Sequence, residues 1–174
     1  MFGIFAVLAG FAVFAVGILS RLNGNAQPGA RPRLNSVIKS RTRDWAGVVE
    51  TESGGVPSSL VLGVIARESG GDQNAHGRAG EIGLMQLTEA AVVDYMRENA
   101  DPDVPDFGAV ESGQINIRVG SWFLGRKIEE MGTRFHGLRA YNCGTFGARS
   151  NSTCGAEYAR WILEVAEPEF RTVA

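Results

Sequence analysis

Glu68 closes the apolar run "PSSLVLGVIARE", directly before Ser69 and the glycine pair Gly70-Gly71. Val61, Val64, Ile65 and Glu68 stand at offsets 0, 3, 4 and 7, the spacing of one helix face, and paired glycines suit a helix C-terminus. A carboxyl group on the buried stripe at a helix's last turn is the expected arrangement. Burial disfavours the charged carboxylate and raises its pKa, which is what a general acid needs near neutral pH. A glutamate at the rim of the core, satisfied by Arg67 or by backbone, would be purely structural, and periodicity alone leaves both readings open. A second Glu-Ser pair, Glu52-Ser53 in "TESGG", has no aliphatic helix immediately before it. Ser69 lies in "ARESGG", which is no G-x-S-x-G nucleophile elbow. Cys143 with His136 would suit a cysteine peptidase or amidase, but residues seven apart on a helix are two turns, about 10 Å, from each other. Neither His76 nor His136 has a partner at metal-ligand spacing, so no metal is assigned.

The elements that must hold Glu68 are mainly helical. "DWAGVVETESGG" supports a short helix with Trp45, Val48 and Val49 on its apolar side, and the helix ending at Glu68 follows. Residues 69–87 are glycine-rich and irregular, with room for a small β-hairpin around "GRAGEIGLMQL". "TEAAVVDYMREN" reads as a helix capped by Thr88, with Val92, Tyr95 and Met96 inward. "ADPDVPDFG" reads as a loop whose aspartates lack the spacing of a calcium site. "QINIRVGSWFLGRKIEEM" carries Ile115, Val119 and Trp122 on one side and Ile117, Leu124, Ile128 and Met131 on the other, the pattern of a central, buried helix. "FHGLRAYNCG" is expected to stop at Gly144, and "AEYARWILEVAE" at Pro168.

The chain has 174 residues, net charge −2, 23 glycines and two cysteines. That length makes one domain with a real core, the charge gives no sign of a nucleic-acid partner, and Cys143 and Cys154 are expected to form one disulfide in an oxidising compartment. Residues 1–20 carry no charged side chain. As a helix, Phe2 to Leu19 would span about 27 Å, close to a bilayer core of about 30 Å. An uncleaved transmembrane helix or signal anchor is the reading for residues 1–20, with a lipid membrane as partner. Residues 21–43 hold six basic residues and no acid, and read as a basic linker. The catalytic domain is then expected over 44–174.

Three blocks in order, Glu68-Ser69, "GLMQ" at Gly83 to Gln86 and "AYNCG" at Ala140 to Gly144, with fifteen residues between Glu68 and Gly83, resemble the SLT-type, goose-lysozyme-like lytic transglycosylase catalytic domains. "NIRVG" at 116–120 and Tyr158 fall where that family tends to have a central-helix asparagine and a late tyrosine. The resemblance implies a lysozyme-like α+β fold and cleavage of the β-1,4 bond between N-acetylmuramic acid and N-acetylglucosamine in peptidoglycan strands. It makes Glu68 the acid/base and gives Ser69, Met85, Gln86, Tyr141 and Asn142 contacts to substrate, with no cofactor. Many family members carry a serine nine residues after the glutamate, where this chain has Gly77. Glu81 stands where a small residue is common. As a second carboxylate serving a water, it would make the enzyme a lysozyme-like hydrolase; otherwise it helps to shape the hairpin. A catalytically idle, membrane-anchored wall-binding protein is the non-enzymatic alternative. Wall access requires the domain to face the periplasm or cell wall. The basic residues after the hydrophobic segment argue for the opposite orientation, which would suit the internal membrane of a bacteriophage virion.

Overall fold

The computed structural model describes residues 33–171. Eight α-helices follow one another: α1 (Ser36–Arg43), α2 (Ala46–Glu52), α3 (Ser58–Glu68), α4 (Glu89–Glu98), α5 (Gly113–Met131), α6 (Arg134–Ser150), α7 (Ala156–Trp161) and α8 (Glu167–Phe170). A 3-10 turn, Phe107–Glu111, precedes α5, and a π-helical turn, Ile162–Ala166, joins α7 to α8.

The two apolar rows of α5 each meet a core. Ile117, Leu124 and Ile128 pack into the main cluster with α3 residues Leu60, Val61, Val64 and Ile65. Ile115, Val119 and Trp122 pack into a smaller cluster with Val92, Tyr95, Val104 and Val110. α3 is more deeply placed than a single stripe implies, because Leu60 to Ala66 are all buried. Its last turn therefore emerges from the centre of the molecule, and that is where Glu68 sits.

Five expectations change. Residues 75–87 form no strand; the ladder is reduced to isolated bridges His76–Ile82 and Ile82–Leu87. Positive φ values at Gly80, Gly83 and Gln86 turn the chain every three residues, so no extended pair can propagate. The segment before residue 44 is no tether as far as it is described. Leu34 is in the core, Ile38 packs against it, and Lys39 bonds to Glu169. Met96 is exposed while Val92 and Tyr95 are buried. α6 breaks at Cys143–Gly144, where Gly144 has φ 73°, but helical structure resumes as far as Ser150. Pro168 does not end the last helix; it lies in the first turn of α8, where its missing N–H costs nothing.

Among the described residues no helix is long and apolar enough to cross a membrane. The proposed membrane segment, 1–20, and most of the linker lie outside them.

Candidate active site

The C-terminus of α3, the looped segment 69–87, the middle of α6 and α7 converge on Glu68. Its Oε1 accepts a hydrogen bond from the Tyr158 hydroxyl at 2.5 Å. Removal from water outweighs that bond and the nearby Arg67 charge, and pushes the Glu68 carboxyl up to about 7. Arg67 does not neutralise it: the guanidinium lies over the Trp161 ring, 5.1 Å from its centroid. Glu52, contrary to expectation, also ends a helix with apolar residues, α2, but its carboxyl is the opposite case. Arg118 Nε at 2.7 Å and Gln114 Nε2 at 2.6 Å bond to its carboxylate, and the Arg118 bond holds it below the usual carboxylate range. Of the two Glu-Ser pairs, only the one at Glu68 keeps a carboxyl that can donate a proton near neutral pH.

The looped segment is tied down from below. Asn116, fully buried on α5, accepts from Met85 N at 2.8 Å through Oδ1 and donates from Nδ2 to Ile82 O and Val110 O, each at 2.9 Å. Tyr141 donates to Met85 O at 2.8 Å, and Phe123 meets its ring edge-on, with centroids 5.6 Å apart. Burial first, and the neighbouring Glu68 charge second, hold the Tyr141 and Tyr158 hydroxyls well above the usual tyrosine range, so both keep the proton they donate.

Several residues expected to touch substrate are committed elsewhere. Met85 is fully buried, and Gly120 leaves room for it: a Cβ there would lie 2.5 Å from the Met85 sulfur. It is core, not a sugar contact. Gln86 donates both amide hydrogens inward, to Ala75 O at 3.1 Å and Gly83 O at 2.9 Å, from a backbone at φ 49°. It buckles the loop and keeps only Oε1 free of these bonds. Ser69 donates to Ile65 O and accepts from Gly71 N, both at 3.2 Å, which makes it the helix-end cap. Asn142 is half-buried beside the α6 break and forms no side-chain hydrogen bond among the described residues. Its amide is the free donor and acceptor of the group.

Glu81 is buried, with Oε2 accepting from Ala79 N at 3.0 Å. Cys143 is bonded to Cys154, so no thiol faces His136 and the peptidase reading lapses. Tyr158 and Asn116 are the residues whose work the sequence does not reveal. The resemblance marks their positions, but only the fold shows that one bonds the acid and the other holds the loop beside it.

The sequence profile of the transglycosylase SLT domain matches residues 48–162. The chain belongs to this family. Among curated proteins none matches it. The SLT domain here is similar in fold to the 70 kDa soluble lytic transglycosylase of Escherichia coli, with TM-score 0.66 and 17% identity over 74% of this chain and 24% of that one. It is also similar to an inactive mutant of the lytic transglycosylase Slt from Pseudomonas aeruginosa, with TM-score 0.60 and 19% identity over 75% and 23% of the two chains. The chain thus spans about a quarter of the length of these two proteins.

Proposed function

We propose that the protein is a peptidoglycan lytic transglycosylase that cleaves the β-1,4 bond between N-acetylmuramic acid and N-acetylglucosamine with Glu68 as its single acid/base. The observation that carries this reading is the Glu68–Tyr158 pair: a carboxyl held protonated to about pH 7 and aimed by one hydroxyl. In the first half of the reaction Glu68 gives its proton to the leaving glycosidic oxygen as the bond from C1 breaks. The substrate's N-acetyl group stabilises the cation developing at C1, so no nucleophilic carboxylate is required. Tyr158 then bonds to the carboxylate just formed. In the second half Glu68 takes the proton of the muramoyl C6 hydroxyl, whose oxygen closes on C1. The product is a 1,6-anhydro sugar, Glu68 is reprotonated, and no water is consumed. Asn142 bonds to a sugar acetamido group at the edge of the site.

Residues 1–20 are proposed to anchor the domain in a membrane facing the cell wall, on the strength of their uncharged sequence. Alkaline phosphatase fused after Ala174 should be active in a bacterial host. Activity only from a cytoplasmic reporter would instead favour the reversed topology of an internal virion membrane.

Purified sacculi incubated with wild type, Glu68→Gln and Glu52→Gln test the catalytic assignment. Glu68→Gln should lose at least about a hundredfold, the lower range of general-acid contributions, while Glu52→Gln keeps cleaving. Activity in folded Glu68→Gln above a tenth of wild type, with loss in Glu52→Gln, sinks the assignment.

A further inference from the structure

Among the described residues, three arginines are withdrawn from full exposure: Arg67, Arg118 and Arg139. Arg139 donates to the backbone carbonyls of Ala148, Asn151 and Cys154. Arg118 meets the carboxylates of Glu52, Asp101 and Asp103. Arg67 forms neither a hydrogen bond nor an ion pair among the described residues. Its side chain lies instead over the Trp161 ring, the guanidinium carbon 5.1 Å from the centroid. A guanidinium is always charged and carries five N–H donors. Withdrawing it from water without an acceptor is unfavourable, and a ring face attracts the charge but cannot take up five donors.

The packing holds this guanidinium beside the acid. Arg67 directly precedes Glu68 in the last turn of α3. Trp161 follows Tyr158 by three residues on α7, which puts the two rings on one helix face. Tyr158 bonds to Glu68 and Trp161 carries Arg67, so two neighbours on α3 meet two neighbours on α7. Gly63, one turn before Arg67, allows this approach: a Cβ there would lie 3.2 Å from Ile162 Cγ2 and 3.3 Å from Glu167 N. An open guanidinium next to a general acid is placed to meet an anionic group of the molecule that the acid cleaves. A carboxylate matches its fork with two parallel hydrogen bonds. Peptidoglycan offers carboxylates from two sources, the stem peptides and the lactyl group of a muramic acid that has lost its stem.

We propose that Arg67, laid on Trp161, binds a carboxylate of the peptidoglycan strand beside the bond that Glu68 breaks. The proposal rests on the reading of peptidoglycan as the substrate and adds a charged contact to it.

Binding is measured by calorimetry on the full chain carrying Glu68→Gln, which cleaves nothing. Two preparations of soluble glycan strands are used, one with its stem peptides and one stripped by an amidase to expose the lactyl carboxylates. Each is also prepared with its carboxylates capped as neutral methylamides. Adding Arg67→Gln should raise Kd about tenfold or more for at least one uncapped preparation, the range of hydrogen bonds to a charged group. Kd for the capped form of that preparation should not change. The preparation that responds identifies the source, stem or lactyl. Arg67→Lys, which keeps the charge but not the fork, should fall between the two. An unchanged Kd for both uncapped preparations overturns the proposal. So does an equal rise for capped and uncapped strands, the result of a residue that only packs α3 against α7. Should Arg67→Gln not fold, Arg67→Lys is judged by the same two criteria. The comparison needs no turnover, so it can fail while the transglycosylase reading stands. That reading fails separately, if the wild type releases no anhydro products.

Discussion

Glu68 and Glu52 are both glutamates followed by serine, and their surroundings drive them apart: an Arg118 bond lowers one, and removal from water raises the other to about 7. This has a thermodynamic consequence opposite to the usual acidic residue. The folded protein keeps a proton on Glu68 that the unfolded chain releases near pH 4.3. Stability from this group is therefore complete below about pH 4.3 and is lost as pH rises through the folded value near 7. Glu68→Gln preserves the shape and the acceptor for Tyr158 but has no charge to bury. Above pH 7 it should be more stable than wild type by on the order of 1–3 kcal/mol, and the difference should shrink at pH 5. Denaturant midpoints at pH 5 and pH 8 measure this; a difference that does not change with pH would show that the carboxyl is not held protonated by the fold.

At the scale of elements, periodicity was informative wherever a helix packed on both sides. The two rows of α5 are both packed as a central helix requires, Ile117, Leu124 and Ile128 in one core and Ile115, Val119 and Trp122 in the other, whereas Met131 joins neither. It fails where single residues redirect the chain. Nothing local in "GEIGLMQL" shows that Gln86 takes φ 49° and spends its amide on Ala75 and Gly83, because those partners are set by tertiary contacts. The site residues divide in the same way. The position of Glu68 on the apolar face of α3 is legible from spacing, though its role is not, whereas the Tyr158 contact spans 90 residues and has no local signature. Asn116 joins three backbone groups of the loop and the 3-10 turn, so Asn116→Ala should cost on the order of 2–4 kcal/mol by leaving them unpaired. Faster hydrogen exchange at Met85 N should accompany the loss; unchanged protection there would argue that other contacts fix the loop. The Cys143–Cys154 bridge, with a separation of 11 residues, should contribute about 2–3 kcal/mol by loop closure. The double Cys→Ser variant should melt lower under non-reducing conditions yet release the same products, and a change of product would put the bridge inside the chemistry.

For the whole molecule, the folded unit starts earlier than charge composition implies. Leu34 is buried in the main core, Thr42 is fully buried, and Lys39 and Arg43 reach Glu169 across the molecule. A charge run reads as a solvated tether only when its apolar members are ignored, and here Leu34 and Ile38 anchor it. A chain beginning at Asp44 should lose roughly 2–4 kcal/mol, from two apolar side chains stripped of their partners. Equal thermal stability with and without residues 33–43 would restore the linker reading. For the proposed reaction, the question at this scale is what would attack C1 once Glu68 has given up its proton, an internal C6 hydroxyl or a water. Digesting sacculi in heavy-oxygen water and weighing the released muropeptides answers this directly. Products lighter than the reducing sugars by one water, with no heavy oxygen incorporated, are the expected result. Reducing ends carrying one heavy oxygen would mean that water attacks C1, and would contradict the transglycosylase mechanism.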